Sequence, residues 1–256
     1  MPKLIELFAV TPHALWILTI IFGRIFGIML IFPLFSSNRF TSILKATMAW
    51  TLAGIIYPFV VIKYPLAADF SAAQGVILTI KELFVGFLVG YILSVPFWLI
   101  ESIGNFIDTQ RGGQIGAIMN QLTKNNSSII GKFFTIAFIT YFISINGMIF
   151  TFNTIFSSYQ ILNPFEIFAI NKYISTNQLI NIFSEYFMLV VLLSFPVLIS
   201  CLLIDLILGV ISSFVPQMNI TIMSVGLKTP VAIFITILYI SSLFHYISSK
   251  FSAIIN

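Results

Sequence analysis

The sequence predicts an all-α, polytopic membrane-associated protein with about six apolar helical segments, kinked helices and a C-terminal helical hairpin. Composition is the first reason. Of 256 residues, 59% are hydrophobic and 8% charged, with a mean hydropathy of +1.07, more apolar surface than so few charges can cover in a water-soluble globule. Patterning is the second. The apolar residues gather into stretches of about 20, the length that spans a hydrocarbon core.

The stretches lie, in order, near Ala14–Phe35, Ile43–Ile62, Leu83–Ile100, Phe133–Phe152, Tyr186–Ile204 and Thr229–Ile247. The first starts too late and runs too long for a cleaved signal peptide, and no small-residue cleavage pattern follows it. Arg24 lies midway along it, and the helical pairs Gly23/Gly27 and, in the third, Gly86/Gly90 would let another helix backbone approach closely. Lys81 and Glu82 open the third stretch, and Glu101 follows it. From Tyr186 to Leu227 only Asp205 is charged across 42 residues; as one helix this run would extend about 63 Å, twice a bilayer core. The chain must therefore turn, and Pro216-Gln217-Met218-Asn219 supplies the suitable residues. A hairpin of Tyr186–Val215 against Ile220–Ile247 results. Loop Lys and Arg divide five against six between the two sides and set no orientation.

Arg24, Lys81, Glu82 and Glu101 are buried-charge candidates. An ionisable residue at membrane depth faces protein or an aqueous path and pairs with something, so each marks either a functional site or a structural ion pair.

One segment is anomalous: NFIDTQRGGQIGAIMNQLTKNN, residues 105–126. Just before and within it, Leu99, Ile103, Phe106 and Ile107 fall on one helical face, and Glu101, Asn105, Asp108 and Gly112 on another, which reads as wet. Asp108 and Arg111, three apart, can pair. Gly112, Gly113 and Gly116 then loosen the backbone, giving a helix that breaks into a loop.

Enzymatic chemistry finds no support in these residues. Glu101 and Asp108 stand roughly 10 Å apart along a helix, with no histidine or cysteine nearby to complete a metal or proton-transfer site. His13 and His245 are isolated, Cys201 has no partner, and no phosphate loop, nucleophile elbow or His-Glu-x-x-His motif occurs. No catalytic residue, metal or cofactor is expected. The net charge of +4 comes from scattered Lys and Arg that form no stripe, which argues against nucleic acid. Two classes remain. A secondary transporter would use the glycine-rich break as a discontinuous helix at its substrate site, although no inverted repeat is visible. A subunit of a larger conduit would use it as a gate.

Two segments carry a family resemblance: Phe97-Trp98 through Ile107-Asp108-Thr109-Gln110-Arg111-Gly112, and Asp205 through Leu208-Gly209-Val210 to Val215-Pro216-Gln217-Met218-Asn219 and Lys228. Together with the Asn146-Gly147 pair they resemble the SctT family of type III secretion export apparatus proteins, whose flagellar relative is FliR. Asp108 to Gly112 is closer to the virulence-type, injectisome branch than to the flagellar one; Gly113 stands where alanine is frequent.

The resemblance implies a single export-apparatus domain over residues 1–256 in the bacterial inner membrane, part of the base of a secretion machine. Its partners would be SctR-type and SctS-type subunits and the SctU-type switch protein, and unfolded polypeptides would be its cargo. It also implies a pore-closing role for Asp108, Gln110, Arg111, Gly112, Gly113, Gly116, Met119 and Asn120, and subunit contacts at Asp205, Gly209, Pro216, Gln217, Asn219 and Lys228. The hairpin, residues 186–247, would resemble the small S subunit.

Overall fold

The computed structural model describes residues 12–36, 40–64, 71–113, 128–166, 176–215 and 219–255. The described residues are helical and contain no strand: α1 (Pro12–Ile31), α2 (Pro33–Ser36), α3 (Ser42–Lys63), α4 (Ala72–Gln110), α5 (Ile129–Ser144), α6 (Gly147–Ile161), α7 (Thr176–Phe214) and α8 (Ile220–Ile255). Among them α1, α3, α4, α7 and α8 are long and apolar enough to cross a membrane, making five, or six if α5 and α6 together count as one broken span.

That break corrects one expectation. The fourth apolar stretch is not a single helix, because Ile145 caps α5 and Asn146 takes a left-handed conformation at φ 61°. Asn tolerates that region and Gly147 follows it, so the pair acts as a turn inside an apolar run. The third stretch, by contrast, is longer than hydropathy suggests. Helix α4 continues through Pro96 for 39 residues, and its last turns carry the polar residues that lead to the anomalous segment.

The chain divides into two compact units, residues 1–95 with 146–179 and residues 96–145 with 180–256. In the first, α1 and α4 cross through their glycines. A Cβ on Gly86 would strike the backbone carbonyl of Arg24, one on Gly90 would lie 2.9 Å from Ile28 Cα, and one on Gly23 would lie 2.9 Å from Thr79 O. Only hydrogen at those positions lets the backbones meet. Ile20, Ile21, Ile25, Ile28 and Phe32 of this segment are fully or almost fully buried, which leaves the hydrophobic core continuous around Arg24.

In the second unit the core is aromatic. Phe97 packs edge-on against Phe138 and Phe142, with ring centroids 5.2 and 5.1 Å apart, and Phe244 lies 5.5 Å from Phe138. Helices α4 and α5 cross where a Cβ on Gly104 would come within 2.6 Å of Gly131 Cα. Helices α7 and α8 form the hairpin. Glu185 near the start of α7 pairs with Lys250 near the end of α8 at 3.1 Å, and Asp205 pairs with Lys228 at 2.6 Å, which fixes an antiparallel register. The chain leaves α7 at Phe214 and enters α8 at Ile220; Pro216, Gln217 and Met218 lie outside the described residues. Both helices keep broad apolar faces on the outside, including Phe187, Met188, Phe195, Leu206 and Phe234, as lipid or a protein neighbour requires.

Candidate functional site

The anomalous segment is anchored by the last turn of α4. Arg111 N–H bonds to Ile107 O at 3.0 Å and Gly112 N–H to Thr109 O at 3.1 Å, and Gly112 then turns left-handed at φ 85°, which only glycine does without strain. Asp108 is the focus. Its Oδ1 accepts from Arg111 Nε at 2.6 Å and lies 2.5 Å from the second guanidinium nitrogen, while its Oδ2 accepts the Ile129 amide at 3.0 Å. A side chain on Gly113 would meet Asp108 Oδ1 at 2.5 Å, so that residue must be small.

Ile129 opens α5, whose first amides have no partner inside the helix. Ser128 supplies one acceptor, its Oγ taking the Gly131 amide at 2.8 Å, and Asp108 supplies another. A carboxylate at a helix N-terminus is also favoured by the helix dipole. The expected faces hold at Leu99, Ile103 and Ile107, which are buried, and at Asn105, which is exposed, and are corrected at two positions: Asp108 is buried, and Phe106, assigned to the apolar face, is exposed. The carboxylate caps α5 inside the protein, and Phe106 lies off the face on which Gly104 and Asp108 meet α5. Of the remaining loop candidates, Gly116, Met119 and Asn120 lie outside the described residues.

Lys228 of α8 brings the hairpin to the same place. Its ammonium is 2.6 Å from Asp205 and donates to the Gln110 carbonyl at 3.5 Å, so Gln110 takes part through its backbone at the C-terminal, negative end of α4. Gly209 has no described atom within 4 Å of a would-be Cβ. Asn219 is exposed, and its Oδ1 accepts from Ile222 N at 3.4 Å, a helix N-cap within the chain and not a buried amide.

A second cluster lies in the first unit and gathers three of the four buried-charge candidates. Arg24 and Glu82 are both fully buried and paired, and Lys81 lies 2.6 Å from Glu82 Oε1. Arg24 also donates to Ser158 O at 2.7 Å and Leu162 O at 3.1 Å and stacks on the Tyr159 ring, 4.2 Å from its centroid. Lys81 donates to the carbonyls of Asn163, Pro164 and Glu166 at 3.3, 2.9 and 3.0 Å. Lys63 Nζ donates to Gln160 O at 2.8 Å, and the Tyr64 hydroxyl donates to Tyr159 O at 3.2 Å. Three cations from three helices thus hold the C-terminal end of α6 and the turn that follows it, where carbonyls are short of helical partners and the helix dipole favours positive charge. Glu101 is left out; it is half-buried and forms no ion pair among the described residues.

Sequence reasoning missed Tyr159, Lys63, Tyr64 and Ser128. Lys63 reads as a loop charge and Tyr159 as an ordinary apolar-segment residue, and only their tertiary neighbours distinguish them. Among the described residues no group of three His, Cys, Asp or Glu side chains could hold a metal ion. Both clusters direct their charges at backbone groups, which is the chemistry of positioning.

Known proteins give this geometry a context. A family model described as bacterial export proteins, family 1, matches residues 15–254. The chain is 34% identical over 169 residues to the surface presentation of antigens protein SpaR of Shigella flexneri, covering 65% of this chain and 64% of that protein. It is 28% identical to the secretion system apparatus protein SsaT of Salmonella typhimurium, covering 91% and 92% of the two chains, and 27% identical to the flagellar biosynthetic protein FliR of Bacillus subtilis, covering 91% and 89%.

Proposed function

The chain belongs to the bacterial export proteins, family 1, and from that premise we propose that it is a subunit of the type III protein secretion export gate in the bacterial inner membrane. There it forms part of the pore through which unfolded substrate proteins leave the cytoplasm. The observation that carries this reading is the family match over nearly the whole chain, joined to apolar helices whose outer faces call for lipid or neighbouring subunits. Its partners are SctR-type and SctS-type subunits, which cover the hairpin, and the SctU-type switch protein. Like its relatives it acts as a structural component of the apparatus and not as an enzyme. The virulence-type injectisome is favoured over the flagellar system because Asp108 to Gly112 resembles that branch.

In this reading residues 105–126 close the resting pore and yield to a passing polypeptide. A closing element must belong to the less stable parts of a structure, and a polar, glycine-jointed strip beside an aqueous lumen suits that task. The experiment is deletion of Gly112–Gln121 in cells that assemble the complete apparatus. Ion conductance across the membrane should rise while the complex remains assembled; an equally tight membrane, with the complex present, removes the plug role.

A further inference from the structure

Three contacts meet at the last turn of α4, and none of them uses the polar loop's own interior. Asp108 receives the amide of Ile129 at the head of α5, so one carboxylate joins the two helices from which the 112–128 segment departs and to which it returns. The reach is made possible one turn earlier, where Gly104 and Gly131 allow α4 and α5 to touch. Arg111 folds back onto the same carboxylate at 2.5 Å. The third contact comes from the hairpin: Lys228, almost buried, is shared between Asp205 of α7 and the Gln110 carbonyl.

We propose that Asp108 and Lys228 form a two-point clasp at the base of the polar segment, through which the C-terminal hairpin sets the position of that base. Asp108 holds the two feet of the segment together. Lys228 bolts the α4 foot to the hairpin. Because one ammonium serves both Asp205 and Gln110, sliding of α8 along α7 or away from α4 must break one of its bonds. A displacement of the hairpin is therefore felt at the loop's base through Lys228 and Gln110. The inference deepens the pore-closing role and rests on it for its meaning in export.

The test uses the assembled export complex in its membrane. Spin labels are placed on cysteines at Thr109 and Ile129, both exposed, in a chain carrying Cys201→Ala, and the distance distribution across the base is recorded beside resting ion conductance. Asp108→Ala and Lys228→Met should each broaden the distribution and raise the resting leak roughly tenfold, as loss of one charge-assisted hydrogen bond implies. Asp108→Asn, which keeps an acceptor for Ile129 and loses the Arg111 ion pair, should fall between wild type and Asp108→Ala, and it serves where the alanine variant fails to assemble. The effects of Asp108 and Lys228 should not add, since both hold one base. An unchanged distribution in the assembled Asp108→Asn and Lys228→Met complexes overturns the clasp whatever the conductance does. Broadening without leak upholds the clasp and counts against the plug reading instead.

Discussion

Replacing Arg24 by Met tests how the first unit is held. The guanidinium is fully buried, ion-paired to Glu82, bonded to two carbonyls and stacked on Tyr159. Met preserves most of the volume and removes every one of those interactions. Ser158 O keeps a partner in the Leu162 amide at 3.0 Å, whereas among the described residues Glu82 keeps only Lys81. Breaking a buried ion pair from one side costs about 3–5 kcal/mol, because the other charge is left behind. At about 2–4 °C per kcal/mol for a chain of this size, the unfolding midpoint should fall on the order of 10 °C. The double variant Arg24→Met/Glu82→Met removes the orphaned carboxylate, and Lys81 retains its three carbonyls. It should therefore be more stable than the single variant, with a coupling energy of about 2 kcal/mol. The assay is thermal denaturation of the complex purified in detergent, followed by loss of soluble assembly. Arg24→Met melting within about 1 °C of wild type, or single effects that simply add, would refute the argument.

Three further outcomes follow from particular contacts. Gly86→Val should disrupt the α1–α4 crossing, since even a Cβ strikes the Arg24 carbonyl; overpacking costs about 1–3 kcal/mol or more, read as lost protease resistance of residues 12–95. A Cβ on Gly209 would meet no described atom within 4 Å, so Gly209→Ala should leave the chain's own fold intact and lower recovery of partner subunits on affinity purification; full recovery would leave Gly209 without a subunit contact. Asn219→Ala removes the α8 cap, worth about 1 kcal/mol, and combined with Gln217→Ala it should reduce assembled complex on native gels, where unchanged assembly and secretion would reduce the turn to a connection.

The sequence makes the two kinds of site legible to different degrees. Helical segments follow from apolar runs, and the turn near Pro216–Asn219 follows from a 42-residue run too long for one crossing. The α5–α6 break was present as Asn146-Gly147, yet hydropathy ran straight through it because both flanks are apolar. Arg24, Lys81 and Glu82 stand out individually as charges in greasy surroundings. Their pairing does not, since Arg24 and Glu82 are 58 residues apart and the carbonyls that Arg24 and Lys81 serve lie between positions 158 and 166. Backbone acceptors leave no mark in a sequence. Asp108 illustrates the same limit: its pairing with Arg111 follows from helical spacing, whereas its bond to the Ile129 amide depends on a fold that brings α5 against α4, and that bond is what buries it.

The most direct measurement of the central claim is purification of the tagged chain from its native membrane, with mass spectrometric identification of what accompanies it. The account predicts SctR-type and SctS-type export subunits, retained in fixed proportion through a sizing column. A chain that elutes without protein partners, folded and binding a small solute, would contradict it and return the reading to a secondary transporter.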